Sequence, residues 1–420
     1  MLGGGGREHA LCWALARSSS VQEVLCAPGN PGAAEVARCL PDVDADDVAM
    51  VRELAVREAV DLVVVGPEAP LMAGVTDTLQ VAEVPVFGPT RAAARLEGSK
   101  AFCKEVLNAA GVPTAAYWTG TSAEEALEAL DRFAAPYVVK ADGLAAGKGV
   151  RICADRVEAE QAVRAALIDG AFGAAGERLV IEQHLNGPEV SLFGLADGAH
   201  VRVLSPAQDY KRALDGDGGL NTGGMGAYSP VPAVNADDVQ RWQRDLFEPV
   251  LAELSSRGLP YTGVLYAGLV LTAGGPQVLE FNARFGDPET QVVLPRLTSD
   301  LGELLLAGAT GHLAALDAPV FDERAAVTVV LASGGYPGTY HTGVPIFGLD
   351  RAAASPDALV FHAGTRANGG EVHTAGGRVL AVTGLGDDLA AARAAAYAAA
   401  DEISFDGCHR RSDIAAVPTT

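Results

Sequence analysis

Short continuous apolar runs alternate with helical periodicity over the first part of the chain. Val60–Val65 and Val84–Gly88 are runs of the first kind, whereas apolar residues in Arg7–Arg17 and Asp46–Glu58 recur every three or four positions. A continuous run suits a strand buried on both faces, and the helical period buries one stripe of a covering helix. Their alternation predicts a parallel, doubly wound α/β sheet over residues 1–98, with a further strand at Val21–Ala27. Ligands bind such sheets beyond the carboxyl ends of the strands, where Gly4, Gly5, Gly6 and Glu68 fall. Only Met1 and Leu2 precede Gly3, so the first strand reads as truncated and the glycine loop as poorly anchored.

Beyond residue 98 the pattern predicts helices at Gly98–Ala110 and Arg156–Ile168, with strands at Tyr137–Val139, Val150–Cys153 and Leu179–Glu182. Asp209–Ser229 is polar and glycine-rich, with no period. A long amphipathic helix over Asp237–Arg257 precedes strands at Gly263–Thr272 and Gln277–Phe281. Strands at Ala326–Leu331, Val360–His362 and Arg378–Thr383, then a helix over Asp387–Glu402, predict a separate α+β unit at 323–420.

Two places in this frame carry chemistry. Lys140 ends a buried strand, and the turn after it holds Gly143, Gly147, Lys148 and Gly149, where small residues let backbone N–H groups close on an anion. The spacing is not a P-loop, which needs four residues between its glycines and a hydroxyl after the lysine. Nor does it open a helix, as a dinucleotide loop must. A glycine-rich hairpin over a polyphosphate and a flexible surface hairpin both remain open on this stretch alone. In the second place, side chains alternate along a strand, so Glu280 and Asn282 share a face and offer hard oxygens suited to Mg²⁺. Arg284 follows on the same side if the extended run persists. Lys100 and Lys104 share a helix face, which is either solvated or functional.

Composition narrows the function. A net charge of -22 argues against nucleic acid or an anionic membrane as a principal partner. The six cysteines show no metal spacing and lie mostly in apolar runs, which suits reduced core thiols and a cytoplasmic location.

These segments together resemble the ATP-grasp ligases, and within them the phosphoribosylamine–glycine ligase family. The likeness rests on Gly-Gly-Arg-Glu-His-Ala at 5–10, Ala-Pro-Gly-Asn at 27–30, Gly-Pro-Glu-Ala-Pro-Leu at 66–71 and Leu-Glu-Gly-Ser-Lys at 96–100. It continues with Lys-Ala-Asp-Gly-Leu-Ala-Ala-Gly-Lys-Gly-Val at 140–150, Asn-Thr-Gly-Gly-Met-Gly-Ala-Tyr-Ser-Pro at 221–230, Phe-Gly-Asp-Pro-Glu-Thr-Gln at 285–291 and Phe-His-Ala-Gly-Thr at 361–365. It implies an ATP-grasp domain over 99–312 with a mobile lid at about 120–188, between the doubly wound domain and the small α+β domain.

The implied reaction joins glycine to 5-phosphoribosylamine through a glycyl phosphate, consuming ATP, with Mg²⁺ or Mn²⁺, in purine biosynthesis. Catalytic roles are implied for Lys140, Arg284, Asp209 and Lys211, and metal binding for Glu280 and Asn282. ATP would contact Lys104, Lys140, Gly143, Gly147, Lys148, Gly149, the segment Glu182, Gln183, His184 and Leu185, and Glu189. The other substrates would meet Gly4, Gly5, Gly6, Glu68, Asn221, Gly223, Gly224, Met225, Gly226, Arg284 and Pro288. Only small-molecule partners are implied, with a monomer or weak dimer. Gln183 replaces an acid usual in the family, and Tyr266–Leu269 offers no third metal carboxylate. A related ligase with another amine acceptor would not need 66–71 or 221–230 in these forms. A regulator without activity would be favoured by loss of Lys140, Glu280 or Asn282, and all three are present.

Overall fold

The computed structural model describes residues 1–143 and 149–416. In the N-terminal part, parallel strands run in the order Arg38–Cys39, Leu25–Pro28, Leu2–Gly3, Val63–Val64 and Val86–Phe87, the middle pair joined through Leu2 beside Val65. Helices Gly6–Ala16 and Val48–Arg57 follow the first and third strands, so the doubly wound reading stands. The first strand has two residues, yet it is firmly held. The Met1 ammonium donates to Leu25 O at 2.8 Å, Ala27 N to Met1 O at 2.9 Å and Gly66 N to Leu2 O at 3.1 Å. Poor anchoring of the glycine loop is therefore overturned, because both neighbouring strands supply the hydrogen bonds.

Other expectations shift for local reasons. The strand expected from Val21 starts at Leu25, because the Asp300 carboxylate holds the preceding turn through Ser19 Oγ (2.9 Å), Ser20 N (3.0 Å) and Ser20 Oγ (2.6 Å). The helix expected from Gly98 breaks at Ser99, whose hydroxyl accepts from Phe102 N at 3.1 Å and caps Lys100–Ala109. Pro249 cannot donate to the turn before it, and a π turn over Gln243–Phe247 divides the helix expected at Asp237–Arg257.

Two antiparallel sheets build the centre. One runs Tyr117–Gly120, Leu179–Gln183, Tyr137–Ala141, Val150–Cys153, with its own core of Tyr137, Val139, Cys153, Val163 and Ile181. The other runs Val201–Val203, Glu189–Asp197, Thr262–Thr272, Gly275–Asn282, and Phe281 packs edge-on to Phe247 with ring centroids 5.8 Å apart.

The polar stretch at 209–229 is not an open loop. Gln208–Asp209 pairs with Gly226–Ser229, and Arg212–Leu214 with Gly218–Asn221. Gly226–Ser229 in turn pairs with Ala325–Ala332, so the last sheet has five strands, of which Gln208–Asp209 and Gly226–Ser229 come from the middle of the chain. The sheet of the C-terminal unit thus takes in two strands from outside 323–420. Its helix Leu389–Glu402 is alanine-rich because it lies tight on the sheet: a Cβ on Gly384 would sit 2.3 Å from Ala392 O. Cys408 is exposed, against the expectation of core thiols, and all six cysteines are free. Among the described residues no helix is long and apolar enough to cross a membrane.

Candidate functional site

Three elements converge on one buried carboxylate. Glu182 points from Leu179–Gln183, Lys140 from the adjacent strand and Lys104 from the helix beneath. Lys140 Nζ lies 3.0 Å from Glu182 Oε1, and Lys104 Nζ 3.2 Å from Oε2. Lys104 also donates to Thr114 Oγ1 at 2.6 Å, and Thr114 donates to Val278 O at 2.6 Å, which ties the cluster to the Gly275–Asn282 strand. Burial lowers the Lys104 ammonium, with Glu182 only partly offsetting it and Lys140 adding to it. For Lys140 burial also lowers, but Glu182 and Glu280 outweigh it and hold the ammonium above its ordinary value. Lys104 does not lie on a solvated helix face: its side chain is 2% exposed.

The expected base segment follows directly. The Glu182 side chain is occupied by the two lysines, and Gln183 is exposed. Among the described residues, the N–H groups of His184 and Leu185 make no protein hydrogen bond, so backbone groups free to read a base begin there. Gly143 N donates to Ala175 O at 3.3 Å and Gly149 O accepts from Ala141 N at 2.8 Å. Gly147 and Lys148 lie outside the described residues.

Glu280 and Asn282 project from one face of the Gly275–Asn282 strand, opposite Gly268 and Tyr266. A bulge at Leu279 precedes them without disturbing their alternation. Burial would raise the Glu280 carboxyl, but Lys140, Lys100, Lys211 and Arg284 outweigh it and hold it low. Among the described residues neither side chain has a hydrogen-bond or ion-pair partner, so both oxygens are open to a cation. No cluster of three His, Cys, Asp or Glu is found among the described residues, so a metal here would draw its remaining ligands from phosphate and water. On that donor set a hard divalent cation fits.

Behind this face, Glu289 is buried and accepts from Tyr266 Oη at 2.5 Å and Ser191 Oγ at 3.1 Å. Lys211 is ion-paired with Glu189, the residue expected at the ATP ribose, and lies 3.9 Å from Asp209. Burial raises the Asp209 carboxyl to about 7, Glu289 and Glu189 adding to the effect and Lys211 opposing it. The folded state keeps this proton well above the ordinary value of 3.8. Its contribution to stability is therefore complete below that value and is lost as pH rises through about 7. Asp209→Asn should flatten this part of the profile, so that unfolding midpoints taken at about pH 4.5 and about pH 8 differ less than in the parent. An unchanged difference would show that another group titrates.

The second half of the cleft is built on arginine. Arg284 Nη2 lies 3.1 Å from Glu97 and its Nε 3.4 Å from Glu68. Burial raises the Glu97 carboxyl although Arg284 pulls it down, and its other oxygen accepts from Ala283 N at 2.7 Å. Gly5 N donates to the Glu8 carboxylate at 2.7 Å, so that N–H of the glycine loop is taken by the chain itself. Asn30 Nδ2 donates to Gly4 O at 2.9 Å and Gly5 O at 3.3 Å. The 221–226 loop packs against the 285–291 turn. A Cβ on Gly224 would lie 2.4 Å from Pro288 Cδ, and one on Gly6 2.8 Å from Gln291 Nε2. Met225 is fully buried, and Asn221 is exposed at the mouth.

Sequence reasoning missed Glu97 and Glu289. Both sit inside motifs already noted, and an acid flanked by glycine or proline there was a usable signal.

Residues 1–97 match the phosphoribosylglycinamide synthetase N domain, 98–290 its ATP-grasp (A) domain and 326–417 its C domain. The phosphoribosylamine–glycine ligase of Streptomyces coelicolor is 56% identical over 99% of this chain and 98% of its own, and that of Allochromatium vinosum 51% over 99% and 97%. The crystal structure of phosphoribosylamine–glycine ligase from Thermotoga maritima superposes with a TM-score of 0.85 at 34% identity, covering 98% of each chain. A biotin carboxylase domain from Hydrogenobacter thermophilus, 16% identical with a TM-score of 0.71 over 97% of this chain and 91% of its own, shares the fold. The chain is an ATP-grasp ligase that belongs to the phosphoribosylglycinamide synthetase family.

Proposed function

We propose that this chain joins glycine to 5-phosphoribosylamine, forming glycinamide ribonucleotide, ADP and phosphate. The observation that carries this reading is the set of two buried lysines, a Glu280/Asn282 face without a side-chain partner among the described residues, and an arginine-and-carboxylate cluster of Arg284, Glu68 and Glu97. A carboxylate does not acylate an amine directly, so glycine is first phosphorylated and the ribosyl amine then attacks the acyl phosphate.

Phosphoryl transfer asks a protein for position and positive charge. Lys104 and Lys140 supply fixed charge toward the phosphates, and Glu182 holds both in place. Glu280 and Asn282 would hold Mg²⁺ or Mn²⁺, which when bound neutralises phosphate charge. His184 and Leu185 offer backbone groups to adenine. Glu189 meets the ribose once Lys211 releases it. Arg284, oriented by Glu97 and Glu68, binds the glycine carboxylate, and Asn221–Gly226 with Pro288 line the acceptor pocket. Gly4–Gly6 and Glu68 take the phosphoribosyl group, and residues 120–188 close as a lid that keeps water from the acyl phosphate.

The test is ADP release from the purified protein with ATP, Mg²⁺ and glycine, with and without phosphoribosylamine generated in place. Release that needs both substrates supports the reading. Release independent of phosphoribosylamine would assign another acceptor.

A further inference from the structure

Arg378 opens the strand Arg378–Gly386, in the C-terminal sheet. Its Nη1 donates to Gly223 O at 2.6 Å, Asp287 O at 2.7 Å and Gly224 O at 3.4 Å. Its Nη2 lies 3.2 Å from Asp287 Oδ2, while Oδ1 of the same carboxylate accepts from Gln291 Nε2 at 2.8 Å. Gly223 N donates to the Tyr336 hydroxyl, also C-terminal, at 3.1 Å. One guanidinium thus joins the glycine-rich 221–226 loop to the 285–291 turn. Glycine peptides are conformationally soft, and fixing two of their carbonyls fixes the peptide planes that face the pocket. The planar fork matters: several acceptors on two sides of one cation suit arginine and not the single ammonium of lysine. Burial would raise the Asp287 carboxyl, but Arg378 and Arg7 hold it ionised and low, which keeps the carboxylate arm in place.

We propose that Arg378 is a positioning residue for the acceptor pocket, clamping the 221–226 loop against the 285–291 turn so that glycine and phosphoribosylamine find a formed site. The inference rests on the reading of that pocket given above. In Arg378→Lys and Arg378→Ala, KM for phosphoribosylamine or glycine should rise about tenfold or more, the cost of losing charged hydrogen bonds, with kcat much less affected. The affinity for a non-hydrolysable ATP analogue should be unchanged, and lysine should not rescue. A folded Arg378→Lys protein with parent-like KM overturns the proposal, and so does a parallel loss of nucleotide affinity, which would mark a general structural role. Amide hydrogen exchange over 221–226 reads the clamp without turnover. Exchange there should quicken about tenfold in Arg378→Lys, and unchanged exchange also overturns it. If the parent protein releases no ADP, the ligase reading fails, while the exchange result still decides the clamp.

Discussion

Glu182→Ala should lower the free energy of unfolding by about 3–5 kcal/mol, because it strands two ammonium groups in a buried site. Lys104, Lys140 and Glu182 are each buried, and no other carboxylate lies within ion-pair distance of either lysine among the described residues. Removing the acid leaves both charges desolvated and facing each other, and Lys104 is already the more strained, since burial and Lys140 both disfavour its charge. Denaturant unfolding monitored by circular dichroism measures the loss. Replacing all three by apolar residues of similar volume should restore most of the stability but not ADP release, since the cost lies in the unpaired charges rather than in lost packing. A Glu182→Ala protein as stable as the parent would mean that water reaches the lysines.

Glu280→Ala should reduce kcat for ligation by about a hundred- to a thousandfold, the scale of removing one preorganised charge-stabilising group. Two effects add. The Gly275–Asn282 strand loses its carboxylate, and Lys140 loses one of the two acids that keep its ammonium charged. Asn282→Ala should cost less, because an amide oxygen contributes no net charge. Electron paramagnetic resonance of Mn²⁺ titrated into protein with a non-hydrolysable ATP analogue separates metal binding from turnover. Weaker Mn²⁺ binding in Glu280→Ala is expected. Parent-like Mn²⁺ affinity in that variant would move the metal elsewhere.

Much of this site was legible in linear order. Lys140 before a glycine-rich turn, and Glu280 and Asn282 two apart on a strand, follow from local geometry, and the structure leaves the one carboxylate and the amide on the same face of that strand. The partner of Lys140 was not legible. Glu182 lies on the strand beside it, and only the antiparallel register, Val138 opposite Glu182, brings the two together. The hairpins within 208–229 were equally hidden. Their strands are two to four residues long and mostly polar, so they carry no hydrophobic period, and of the four only Gly226–Ser229 is held by the Ala325–Ala332 strand. The firm hold on the short first strand was hidden as well, because its hydrogen bonds come from neighbours on both sides.

The sequence by itself determined the alternating α/β frame, because apolar runs and helical stripes must each be buried in one way, and the small set of oxygens and lysines that suit nucleotide chemistry. Tertiary structure alone decided which charges meet. Glu182 between two lysines, Arg284 between Glu68 and Glu97, and Arg378 across the 221–226 and 285–291 segments join residues tens to hundreds of positions apart. Such pairs obey no local period, since a charge is neutralised by whatever the packed core brings within a few ångströms of it.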